Sequence, residues 1–219
     1  MLKAFAVVAA AAALGYGALV HYARLQFGRT KSRWPDALFD SLLPLYDVQE
    51  QHQIRIAAPV HVTWATAQAM NLDQLAIVRL LVRIRSLAMG KLPQPPDPAG
   101  GLIDASKKIG WGWLAEEPEH EVLMGAVTQP WHGKVIFRPL SPEAFVAFRD
   151  PNFVKIAWNL RVDADGAGSI LRTETRVQPT DDEARGRFRR YWSFIFPGVV
   201  LIRFALLREI KNRSERPRG

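Results

Sequence analysis

The stretch that most limits what this chain can fold into lies near its end, from Thr173 to about Glu215. Thr173, Thr175 and Val177 alternate with Glu174 and Arg176, the period of a strand with one buried face. After a short turn, Thr180 and Glu183 form a capping-box pattern, and Asp181 and Asp182 add negative charge at a helix start. Apolar residues then recur at Ala184, Phe188, Trp192, Ile195, Val199, Ile202, Leu206 and Ile210. Steps of three and four put them on one face of a single long helix. Such a helix cannot bury that face on itself, so the rest of the chain must supply a sheet or a membrane. Within it, the run from Phe194 to Leu207 is apolar nearly all round and holds Pro197-Gly198, a pair expected to kink it. The run is too short to span a bilayer. Its second apolar side is therefore expected to be covered by the early helices or by a membrane surface.

A membrane is also suggested at the other end. Ala4 to Val20 carries no charge and, extended through Ala23, reaches the length of a bilayer span. A cleaved secretory signal should end its apolar run in small residues, whereas this one ends Leu19-Val20-His21-Tyr22-Ala23-Arg24. The expected organisation is a single-pass anchor through residues 4–23 within a 1–33 anchor and basic linker, followed by a domain over 34–219. Arg24, Arg29, Lys31 and Arg33 outnumber Lys3, which places the domain in the cytoplasm by the positive-inside rule. The net charge of +8 agrees. Residues 1–33 hold five Lys/Arg and no acid, and 181–219 hold ten against five, while the middle is slightly acidic. Basic ends suit an anionic membrane surface or a solvated tail, and no nucleic-acid interface is expected.

Between the ends the period changes. Tyr46–Ile56 alternates as a first strand, Pro59 opens a short helix through Ala65, and after Asn71-Leu72-Asp73 a second helix runs to about Met89. Lys91–Gly101, with four prolines, is a loop. Strands are expected at Ile109–Leu114, Glu121–Val127, Lys134–Phe137, Val154–Val162 and Ser169–Val177, the last two joined as a hairpin at Asp163–Gly166. Short helical pieces are expected at Asp36–Leu43 and from Ser141 through Phe148. The fold class is therefore α+β, a curved antiparallel sheet with helices on one face that grips the long terminal helix and leaves a space beneath it.

Several segments carry a resemblance. They are Ile54 through Ala57-Ala58-Pro59-Val60-His61-Val62-Thr63-Trp64, Val122–Val127 with Trp131, and Phe145–Pro151. The densest is Ile170–Val177 with Ala184-Arg185, Phe188–Trp192, Pro197-Gly198, Leu201-Ile202-Arg203 and Leu207–Lys211. Together they resemble the polyketide cyclase/START-like (SRPBCC) superfamily, whose helix-grip fold is shared with birch-pollen-allergen-like proteins, and within it a bacterial branch. The resemblance covers roughly residues 45–215. It implies the helix-grip fold and is nearly silent on function, because members bind lipids, hormones or polyketides and only some are enzymes.

The chain has no cysteine, which excludes disulfides, zinc-thiolate sites and thiol catalysis. No phosphate-binding glycine loop, nucleophile elbow or paired-histidine motif is present, and no metal or cofactor is expected. The functional candidate is a cavity. Trp64, Trp111, Trp113, Met124, Trp131, Phe137, Trp158 and Trp192 are the expected ligand-binding walls, since aromatic surfaces with few polar groups describe an apolar pocket. Any one of them would equally suit an ordinary core. Acid–base chemistry would fall to His132, His61 or Glu174, of which Glu174 is expected to face outward and pair with Arg172 or Arg176. The expected function is a membrane-anchored binding protein for an apolar small molecule, lipid or polyketide-like. A cyclase- or hydrolase-like enzyme would need a polar cluster in the cavity, and an interaction module with a collapsed cavity would need a large exposed apolar patch.

Overall fold

The strands form one antiparallel sheet of five, in the order β1-β5-β4-β3-β2, and its two faces have different tenants. In the computed structural model, residues 2–29, 32–80, 83, 100–132 and 135–216 are described. The elements in chain order are α1 (Leu2–Gln26), α2 (Ala37–Leu42), β1 (Val48–Ile56), α3 (Val60–Ala69), α4 (Leu102–Lys108), β2 (Gly112–Glu117), β3 (Glu121–Thr128), α5 (Pro142–Ala147), β4 (Val154–Asp165), β5 (Gly168–Pro179) and α6 (Asp182–Ser214).

Register assigns the faces. Val48 pairs with Val177, Ile54 with Leu171, Ile156 with Val177, Trp158 with Thr175 and Met124 with Trp158, so these side chains share one face. That inner face is gripped by α6. Ile210, Leu206 and Leu207 of α6 join Trp64, Ala67 and Met70 near α3 in one buried cluster with Val122, Met124, Leu160 and Leu171. Phe188, Trp192 and Phe196 join Val48, Val154 and Val177 in a second. The helix starts where charge and sequence direct it, with one adjustment. Asp181, not Thr180, is the N-cap and accepts from the Ala184 amide, while the Thr180 hydroxyl pairs with Phe153.

The outer face is covered too, which corrects the expectation of helices on one side only. Phe39 and Leu43 around α2 and Phe145 of α5 pack on Leu114, Leu123, Val127 and Ala157. The reason lies in β3, where all eight residues are buried and no position is left for a solvated face.

Three further expectations change. Lys134–Phe137 is no strand where it is described. β2 occupies that edge of β3 as far as Gly125, leaving room only for an isolated bridge between Val127 and Arg138. The helix placed from after Asp73 to about Met89 is helical at 76–80 and 83, preceded by a 3-10 turn at Leu72–Gln74, while residues 81, 82 and 84–89, with most of the proline loop, lie outside the described residues. Residues 102–108, to which the sequence assigns no element, form α4, burying Leu102, Ile103 and Ser106.

The long helix α6 keeps Pro197 in its interior, so position 197 offers no amide to the carbonyl one turn earlier. Here α1 docks. The Tyr16 hydroxyl donates to the Phe194 carbonyl at 2.5 Å, Arg24 Nε donates to Ser193 Oγ at 3.2 Å, and Arg189 donates to the Arg24 carbonyl. Tyr22 meets Phe196 and Phe27 meets Phe188, so the two helices run antiparallel over this contact. The second apolar side of α6 is thus covered in part by α1, while Phe194, Leu201 and Phe204 stay exposed. Among the described residues, no helix is long and apolar enough to cross a membrane. The side chains of residues 2–13, most of the Ala4–Val20 run, lie outside that set.

Candidate ligand cavity

Between α6 and the inner face of the sheet lies a cavity of about 300 Å³. Ile156 and Trp158 of β4 and Thr175 and Val177 of β5 form its floor, and Phe188, Trp192, Ile195, Val199, Ile202 and Leu206 of α6 its roof. Leu72, Leu102 and Ile109 border one end, and Trp111, Pro130 and Phe137 another. The volume is at the small end of ligand pockets, and the lining is as apolar as such sites usually are. Two aromatic contacts build the wall. Trp111 stacks on Phe137 with centroids 4.9 Å apart and meets Trp158 edge-on at 6.2 Å.

Gly110 makes that wall possible. Its φ is +104°, in the region L side chains avoid, and a Cβ there would press into the Phe137 carbonyl. Gly110→Ala is expected to lower stability by roughly 1–3 kcal/mol. A urea titration monitored by tryptophan emission measures this, and an unchanged midpoint would mean that the wall tolerates the shift.

Of the eight aromatic and sulfur side chains expected to line a cavity, Trp111, Phe137, Trp158 and Trp192 do so. The other four are placed elsewhere. Trp64 and Met124 are core residues beside α3. Trp113 packs at the edge of that cluster beneath the Lys107 ammonium, 4.5 Å from its ring centre. Trp131 packs against the Phe188–Trp192 cluster, with its indole Nε1 buried and unpartnered. The physical reason is that register fixes which face a strand residue takes, while the distance from α6 decides whether that residue meets a void or a neighbour.

The three candidate acid–base residues do not meet the cavity either. His61 is exposed on α3, and His132 is exposed in the turn after β3. Glu174 is fully buried on the outer face, where its carboxylate accepts from Gln49, Gln51 and Arg176 Nε at 2.8, 2.7 and 2.5 Å. No Asp, Glu or His is among the described residues lining the cavity.

Among the described lining residues Ser106, Thr175, Tyr191 and Arg203 are polar, and Arg203 of α6 is the charged one. Its Nη1 donates to Thr173 Oγ1 at 2.9 Å and its Nη2 to Thr175 Oγ1 at 2.8 Å, with the guanidinium 5.9 Å from the Trp158 ring centre. Burial pulls its pKa down to about 10, partly opposed by the field of Glu50. Arg203 is half-buried and lines the cavity. Its signal in the sequence was plain: it is the only charge between Phe194 and Leu207.

A second, larger cleft of about 700 Å³ lies between α1, β1 and α6. Its polar groups largely satisfy one another. Gln49 and Gln51 bind Glu174, Gln51 accepts from the Arg33 amide, and Asp47 accepts from Arg185. His52 Nε2 stands 3.3 Å from Glu50 without hydrogen-bonding geometry, its ring edge-on to Phe204.

No family model and no curated protein sequence matches the chain. Solved structures similar to it include CalU16 from Micromonospora echinospora, 11% identical with a TM-score of 0.26, covering 76% of this chain and 82% of that one. Protein Ms6760 from Mycobacterium smegmatis is 11% identical with a TM-score of 0.36, covering 78% and 93%. Protein MLL2253 from Mesorhizobium loti is 15% identical with a TM-score of 0.30, covering 77% and 100%.

Proposed function

We propose that this protein is a START-like helix-grip domain that holds an apolar small molecule, lipid or polyketide-like, between its sheet and α6, and that α1 ties it to a membrane on the cytoplasmic side. The observation that carries the reading is the aromatic-walled cavity of about 300 Å³. Void of this size under a helix costs stability through lost packing, so it is a feature to be filled. The membrane part is supported by the charge-free run Ala4–Val20 and by exposed Tyr16, Leu19, Tyr22 and Leu25 of α1 beside exposed Phe194, Leu201 and Phe204 of α6. Arginines 24, 29 and 33 flank it.

Native mass spectrometry of the full chain extracted from its host membrane tests the cavity. The wild type should carry an apolar adduct, and Ile202→Trp, which fills the roof, should lose it while keeping its circular dichroism spectrum. A wild type without any adduct, and unable to take up an added apolar dye, rules the binding role out. Alkaline carbonate extraction tests the tether. The chain should remain in the membrane pellet, and complete release would refute the anchor.

A further inference from the structure

Arg203 is an expensive residue in its position. A guanidinium taken out of water loses several kcal/mol of hydration unless an anion replaces it. Here the partners it has are two neutral hydroxyls, those of Thr173 and Thr175. No carboxylate of the described residues is in ion-pair contact with it, and Glu50 acts on it only at a distance. Helix α6 could be tied to two threonines by a neutral amide at far lower desolvation cost. The two bonds use one N–H on each terminal nitrogen, and a guanidinium carries five. The remaining donors belong to a group that borders the apolar cavity.

From this geometry we infer that the cavity's ligand carries an oxyanion at one end, a carboxylate being the best planar match, and that Arg203 is the residue that binds it. The inference rests on the apolar-ligand reading of the same cavity and adds a ligand class to it: an amphiphile with one anionic head and an apolar body. Thr173 and Thr175 act as positioning residues, fixing the guanidinium plane on the floor while Trp158 flanks it. The body then lies along Ile156, Val177 and the aromatic wall. A carboxylate is suited to the fork of an arginine, which presents parallel donors that a lysine cannot.

The test compares head groups on one chain length. Dodecanoate, dodecyl phosphate, methyl dodecanoate and dodecanol are titrated into the full-length protein in detergent-free nanodiscs, with tryptophan emission as the readout. The expected result is that dodecanoate binds about ten- to a hundredfold more tightly than its methyl ester. Arg203→Met should abolish that preference while ester and alcohol still bind. Dodecyl phosphate binding as tightly as dodecanoate assigns the site to oxyanions in general, and weaker phosphate binding assigns it to carboxylates. Equal affinity of acid and ester for the wild type overturns the head-group inference while leaving the apolar cavity standing. Failure of all four to bind overturns both. Because the acid–ester comparison is made on the wild type, it decides the matter even if Arg203→Met does not fold. Thr173→Val with Thr175→Val supplies the milder variant, expected to narrow the acid–ester gap without removing it.

Discussion

Glu174→Leu should cost about 3 kcal/mol of folding stability, because it leaves the buried Arg176 with only the half-exposed Asp40 carboxylate as counter-charge. The two side chains are 0% and 1% exposed and joined at 2.5 Å. Arg176 sits between the Phe39 and Tyr46 rings, 4.4 and 4.5 Å from their centres, and also donates to the Leu43 carbonyl and to Asp40. The pair therefore locks β5 to the segment around α2 on the outer face. Urea denaturation measures the loss. The double variant Glu174→Leu with Arg176→Met should recover most of it, since replacing both charges is far cheaper than stranding one. A single variant within about 1 kcal/mol of wild type would show that this network is incidental.

The second large effect is on pH dependence. Glu121 is 2% exposed and shares the amide of Asn159 with Asp36, the N-cap of α2, at 2.7 and 2.8 Å. Burial first, and the nearby Asp36 second, raise the Glu121 pKa from 4.5 to about 8. The folded protein thus keeps a proton that the unfolded chain loses, and stability falls as pH rises from about 4.5 to about 8. Lys155, 4% exposed on the same outer face, shifts the other way. Burial and then Arg149 lower its pKa from 10.5 to about 8, so stability returns as pH rises from about 8 to about 10.5. The two together place a minimum of stability near pH 8. Glu121→Gln should erase the falling limb and gain on the order of a few kcal/mol at pH 8, where the folded wild type holds a proton that the unfolded chain has given up. Thermal melts at pH 5, 6.5 and 8 measure it. A wild-type curve that climbs between pH 5 and 8 would contradict the assignment of Glu121.

What the sequence disclosed was whatever depends on local period. The alternation from Val154 to Val162 and from Thr173 to Val177 is present as β4 and β5, and the three-four spacing from Ala184 to Ile210 as α6. The outward face of Glu174 and its pairing with Arg176 followed from the same alternation. What depended on tertiary distance was hidden. Trp111 and Trp113 differ by two positions, yet only the first borders the cavity, while the second is capped by Lys107 from a helix whose short stripe of Leu102, Ile103 and Ser106 gave little signal. The docking of Tyr16 on the Phe194 carbonyl joins residues 178 positions apart, and no spacing rule connects them. Arg203 was visible as a lone charge, but its meaning came only with the threonines opposite.

Trp192 borders both the apolar cavity and the polar cleft, with Phe188 stacked 5.9 Å away on one side and Phe196 edge-on at 6.0 Å on the other. A single indole is therefore a party wall. Whatever fills the cavity leans on the ring from beneath, and whatever α1 does leans on it from the far side, since Tyr22 and Ala23 border the same cleft. A ligand in the proposed pocket and the amino-terminal helix would thus bear on one ring from opposite sides.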